Sequence, residues 1–210
     1  MKTLTRYVYD YVDESFRINK DTKIDKYSYH PKTKDELIEL IKELLDERGK
    51  DADLNDIDVS AITNMHHLFV YMDIHNIDIS EWNVSNVTDM HFMFRGCENF
   101  NSDLSKWNVS NAKDMQYMFF GCKQFNSDLS NWDVSNARNM SRMFSSCVNF
   151  NCDLSKWDVS NVFDAYKMFD NCKKFDCDLS NWNVTNVMDM YKMFNGCSSL
   201  KNIPDWYNEW

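Results

Sequence analysis

The side chains best suited to chemistry in this chain are its five histidines, its seven cysteines and a recurring set of aspartates. His66, His67, His75 and His91 crowd one stretch, with His30 apart from them. Imidazole serves as a general base and a metal ligand near neutral pH. His66 and His67 are adjacent, so on a helix they would point in different directions. His91 aligns with His66 one repeat later and could stand beside it in space. Cys147, Cys152, Cys172 and Cys177 offer four thiols, the donor set of a structural zinc site. Asp78, Asp103, Asp128, Asp153 and Asp178 offer carboxylates, which suit calcium or a row of backbone amides. Met90, Met115, Met140 and Met190, taken with the cysteines, raise soft-metal binding. No Gly-rich phosphate loop and no nucleophile motif is present.

The spacing of these residues favours structure over chemistry. Trp82, Trp107, Trp132, Trp157 and Trp182 recur at one constant interval, and Cys97, Cys122, Cys147, Cys172 and Cys197 recur at the same one. A fixed period in the range that solenoids use predicts stacked repeats. In a parallel stack, rungs lie about 4.8 Å apart, wider than the Cβ separation of roughly 3.5–4.5 Å that a disulfide favours. The cysteine column therefore reads as free, buried thiols in a reducing compartment. Cys152 and Cys177 read as extra packing residues, the methionines as gap fillers, and the histidines as exposed helix-surface residues. The aspartates read as solvated or bonded to backbone amides. No metal, cofactor or catalysis is expected.

The repeat unit predicts the elements that carry these columns. In residues 103–109, Leu104, Trp107 and Val109 are separated by polar residues, the pattern of a short strand and turn. Asn111 then stands where an N-cap would, and Ala112, Met115, Met118 and Phe119 would share one face of a short helix. Gly96, Gly121 and Gly196, with Ser146 and Asn171 in the other copies, mark a left-handed stop. The Asn column, including Asn86, Asn111 and Asn136, should satisfy backbone groups in successive turns.

Before the repeats, residues 1–16 show a helical apolar stripe, and residues 17–31 read as a loop. A second helix is clearer: Thr33 and Glu36 form a capping-box pattern, and Gly49 supplies a C-terminal stop. Between them Leu37, Leu40, Ile41, Leu44 and Leu45 form an apolar face that should cover the open end of the core. The predicted organisation is a helical cap over 1–52, about six repeats over 53–203, and a C-terminal cap over 204–210. The fold class is an α/β repeat, a right-handed solenoid of strand–turn–short helix units.

A net charge of −10 disfavours nucleic acid and anionic membranes as partners. No apolar run is long enough to span a bilayer, so no membrane insertion is expected. The N-terminus has no apolar signal-peptide region and soon meets Asp10, Asp13 and Glu14. That points to the cytoplasm, or to the cell surface if a signal was removed.

The pattern Phe-Asn-x-Asp-Leu-Ser-x-Trp-x-Val-Ser-Asn-x-x-x-Met-x-x-Met-Phe-x-x-Cys closely resembles the BspA-like leucine-rich repeat family over about residues 53–204. The resemblance implies a leucine-rich-repeat-type solenoid and a place among bacterial surface proteins, some of them adhesins. It supplies no catalytic residue. The expected function is a non-catalytic, monomeric scaffold that binds a partner protein through its repeat surface. The varying columns beside each Trp are the expected contacts: Glu81, Lys106 and Lys156 before it, and Asn108, Asp133, Asp158 and Asn183 after it. The alternatives are a self-assembling structural solenoid and a carbohydrate-binding module using Tyr117, Tyr166 and Tyr191.

Overall fold

The structure is a computed structural model in which residues 25–208 are described. The helix expected over residues 1–16, and Trp210 of the expected C-terminal cap, lie outside that range. One helix is formed among the described residues, α1, Lys34–Arg48. Thr33 is its N-cap and accepts the Glu36 amide, while Glu36 accepts the Lys32 amide at 2.7 Å. Gly49 ends it at φ 86°, where a side chain would be strained. Leu37, Ile41 and Leu44 are fully buried, in one cluster with Ile57, Met65, Leu68 and Phe69 of the first, worn repeat. Leu40 and Leu45 flank that line and are half-buried. α1 thus buries its apolar line in the same core as the first repeat.

From residue 53 onward each unit lies directly on the next. Parallel bridges join Asn64, Asp89, Asp114, Asn139, Asp164 and Asp189 in one chain of pairings. The amides that follow alternate between two partners. Met90, Phe92, Phe94 and Gly96 donate to Asp114, Gln116, Met118 and Phe120 of the next unit at 2.7–3.0 Å. Met93, Arg95 and Cys97, between them, donate three residues back within their own unit.

This alternation corrects the expected strand–turn–short helix unit. Among the described residues the repeats contain isolated bridges and turns, with no helix and no extended strand. The apolar spacing of Ala112, Met115 and Met118 fits a train of three-residue turns as well as it fits a helix. The amides of Met115, Tyr117, Phe119 and Gly121 bond to the neighbouring unit, so an i to i−4 helical ladder cannot form. Two columns take positive φ. The Gly, Ser and Asn column is one, as expected; His67, Phe92, Tyr117, Arg142, Lys167 and Lys192 form the other. Bulky residues seldom adopt that conformation, so the rung hydrogen bonds must impose it.

The core is built of stacked rings. Phe69, Phe94, Phe119, Phe144, Phe169 and Phe194 stack with centroids 5.2–5.8 Å apart. Phe100, Phe125, Phe150 and Phe175 form a second buried column beside them. Carbonyls facing this core are met by buried donors. Each Trp indole from Trp82 to Trp182 donates to a carbonyl 28 residues back, as Trp107 does to Ile79 at 3.0 Å. Each column thiol donates likewise, as Cys122 does to Phe94 at 3.0 Å. Burial pushes these thiols up, to about 12 at Cys97. At the far end Trp206 stacks on Trp182, and Pro204 and Tyr207 are buried.

On the outside, Asp78, Asp103, Asp128, Asp153 and Asp178 each accept the amide of the serine two residues on. Serine hydroxyl and amide bonds hold Asp78, Asp128, Asp153 and Asp178 below the usual carboxylate range. The Asn column closes the other turn, with the side-chain amides of Asn86, Asn111, Asn136, Asn161 and Asn186 donating to a carbonyl 26 residues back.

Two outcomes follow. Phe144 touches Phe119, Phe150, Trp157 and Phe169. Phe144→Ala should cost about 3–5 kcal/mol in urea melts, and a loss below about 1 kcal/mol would remove the Phe column from the core. The lowered Asp pKa values contribute stability that is present above the unfolded carboxylate value, near 3.9, and lost as pH falls through the folded value. Acid unfolding followed by tryptophan fluorescence should therefore begin below about pH 4. The triple variant Asp128→Asn, Asp153→Asn, Asp178→Asn keeps the turn acceptors without the charge, so its stability should fall less steeply there. An unchanged slope would mean these turns do not set acid sensitivity.

Candidate functional site

The residues expected to bind a partner fall into two columns. Asn108, Asp133, Asp158 and Asn183 are exposed, but each accepts the amide two residues on and so closes a turn. Their restriction to Asn and Asp has a structural cause. Glu81, Lys106 and Lys156 are also exposed. Lys106 pairs with Glu81 at 2.6 Å, and Lys156 lines an acidic trough with Asp128 and Asp153.

The four cysteines weighed as a zinc set do not converge. Cys147 and Cys172 bond to Phe119 and Phe144 carbonyls in the core column. Cys152 and Cys177 occupy the column of Ser102 and Ser127, where they accept the amides of Leu129 and Leu154 as Ser127 accepts that of Leu104. A thiol there replaces a hydroxyl of similar size.

The histidines are gathered more closely than a helix surface would allow. His66 and His91 stack at 4.7 Å, as their shared column predicts. His67 meets both edge-on, at 5.3 and 5.1 Å, because its positive φ turns the side chain back towards its neighbour. Burial and the adjacent His91, His66 and Lys34 hold His67 below the usual imidazole value. His75 lies apart, near Asp73 and Asp51. Among the described residues, His66, Asp89 and His91 are the group whose potential metal-ligating atoms all lie within 4.8 Å of one another.

A further surface joins the three tyrosines of the sugar-binding alternative, Tyr117, Tyr166 and Tyr191, to cations that the sequence reading did not connect with them. Arg95 lies over the rings of Tyr71, Phe92, Tyr117 and Phe120 at 5.0–5.7 Å. Arg142 lies over Tyr117 and Tyr166, and Tyr166 stacks on Tyr191. Lys167 and Lys192 continue the series over those tyrosines. Rings and cations thus alternate along one face from the first repeats to the last. The Lys and Arg ion pairs among the described residues involve Arg48, Lys50, Lys106, Lys123 and Lys201, none of which belongs to this face. The guanidinium Nε atoms of Arg95 and Arg142 are sealed without a hydrogen-bond partner. The signal was present in the sequence: the column from His67 to Lys192 holds only aromatic and cationic residues.

Among the described residues, no helix is long and apolar enough to cross a membrane. No curated protein and no solved structure gives a significant match to the chain. Residues 40–147 and 114–209 each match a family described as Mycoplasma protein of unknown function, DUF285. With those matches together running from residue 40 to residue 209, the chain belongs to the DUF285 repeat family.

Proposed function

We propose that this chain is a non-catalytic recognition scaffold, a right-handed solenoid of the BspA-like leucine-rich-repeat type. It works as a monomer and binds a partner protein through its repeat surface. The observation that carries this reading is the ladder of rings and cations from Tyr71 to Lys192. In a chain of net charge −10, Arg95, Arg142, Lys167 and Lys192 stand together and form no ion pair among the described residues. Arginine and aromatic residues are the groups that anchor protein interfaces. Unpaired cations here select an acidic segment of the partner, since charge complementarity governs encounter and register.

The Trp-flanking columns fit this role less well, because one closes turns and the other is partly self-paired. Sugar binding is also less well supported. It uses free ring faces, whereas Arg142 already lies over Tyr117 and Tyr166.

A charge-reversal series tests the reading. The protein is used as bait on extract of its own cells, with the captured partner quantified by mass spectrometry. The variant Arg142→Glu, Lys167→Glu, Lys192→Glu should lose the wild-type partner by about ten-fold or more and melt within a few degrees of wild type. The variant Lys106→Glu, Lys156→Glu should retain it. Loss in the second variant and retention in the first would move the binding face to the Trp side.

A further inference from the structure

We propose that His66, Asp89 and His91 form a binding site for a divalent transition-metal ion of the zinc, cobalt or nickel type. The site is independent of the ring-and-cation ladder's role in partner recognition. Two stacked units build it. His66 and His91 share one repeat column, and the bridge between Asn64 and Asp89 sets the two units in register. Stacking at 4.7 Å and 19° holds the two rings nearly parallel. Their Nδ1 atoms approach the two oxygens of a single carboxylate: His66 Nδ1 is 3.6 Å from Asp89 Oδ2, and His91 Nδ1 is 2.5 Å from Asp89 Oδ1.

Two hydrogen bonds hold this carboxylate. Asp89 Oδ1 accepts the His91 amide at 3.1 Å, and Oδ2 accepts Asn64 Nδ2 at 3.2 Å, so its orientation is fixed from two sides. Outer hydrogen bonds of this kind orient metal ligands. His66 Nδ1 is sealed from solvent and has no hydrogen-bond partner. A buried ring nitrogen without a partner is costly, and a metal ion would satisfy it.

The donor set selects the ion. Two imidazoles and one carboxylate suit a borderline divalent ion better than magnesium or calcium, which favour oxygen. A separation of 3.6 Å between His66 and Asp89 ligand atoms suits two ligands that each sit about 2.0–2.2 Å from one zinc ion. The His91 contact opens slightly as its Nδ1 gives up its hydrogen bond. His67 lies edge-on to both rings but outside this group of ligand atoms, so the protein supplies three ligands.

One contact competes with the ion. Lys34, the first residue of α1, lies 2.5 Å from His66 Nε2. An imidazole that ligates through Nδ1 carries its proton on Nε2, so the Lys34 ammonium can no longer donate there. Metal binding therefore removes one of the two contacts that Lys34 makes with His66, leaving the bond to the His66 carbonyl at 3.4 Å.

The neighbouring units supply conservative variants. Asn139 occupies the column of Asp89, and Gln116 that of His91, so Asp89→Asn and His91→Gln introduce residues the fold already holds there. Zn2+ is titrated calorimetrically into the full chain, and Co2+ is followed by its visible ligand-field absorption. The expected result is one ion per chain. Affinity should fall about ten-fold or more in each variant, with unchanged melting in the absence of metal. Lys34→Met should bind at least as tightly as wild type, and His75→Gln should be unaffected. Absence of stoichiometric uptake, equal affinity in Asp89→Asn and His91→Gln, or weaker binding by Lys34→Met would each overturn the proposal.

Discussion

The constraint on which the rest depends is register between units. An amide such as that of Phe94 reaches the carbonyl of Met118, and every second amide along this segment does the same. Those bonds exist only if each unit returns the chain to the same height after one full period. The buried donors add a second lock. The thiol of Cys122 and the indole of Trp107 each meet a carbonyl 28 residues back, in a core that offers no water as a substitute. A buried carbonyl left unpaired costs free energy comparable to a lost hydrogen bond, so Cys and Trp are fixed at their columns by what they donate as well as by volume. Cysteine suits the position because its small thiol fills apolar space and still reaches the carbonyl.

Much of this was legible in the sequence. The constant period, the buried Phe and Trp columns, the capping face of Leu37, Ile41 and Leu44, and the positive φ at Ser146 and Asn171 follow from spacing and residue type. The interior of the unit did not. A helix and a train of three-residue turns place Ala112, Met115 and Met118 alike. The choice between them rests on carbonyls of the next unit, which no local pattern records. The same bonds force positive φ on Phe92, Tyr117 and Arg142, where no glycine advertises it. That hidden turn reorients His67 towards His66 and His91, and sets rings and cations in one row.

Register also divides the surface. One side carries the acidic trough lined by Asp128 and Asp153. The other carries Arg95, Arg142, Lys167 and Lys192 among aromatic rings. A chain that repeats its core residues unit after unit keeps these side-chain columns aligned, so a change at one exposed position adds to a continuous face instead of an isolated patch. Stacked repeats gain extended binding surfaces in this way.

Unit length, counted in residues, governs the stability of this stack. Removing residues 126–150 takes out one whole period and joins Phe125 to Asn151, the neighbour Phe150 has in the intact chain. Removing residues 126–149 instead leaves one residue too many. Urea melts followed by tryptophan fluorescence compare the two. The whole-period deletion should melt in one cooperative transition, with only the stability of a single unit lost, and the other deletion should lose cooperative melting. Indistinguishable melts for the two chains would contradict that dependence on unit length.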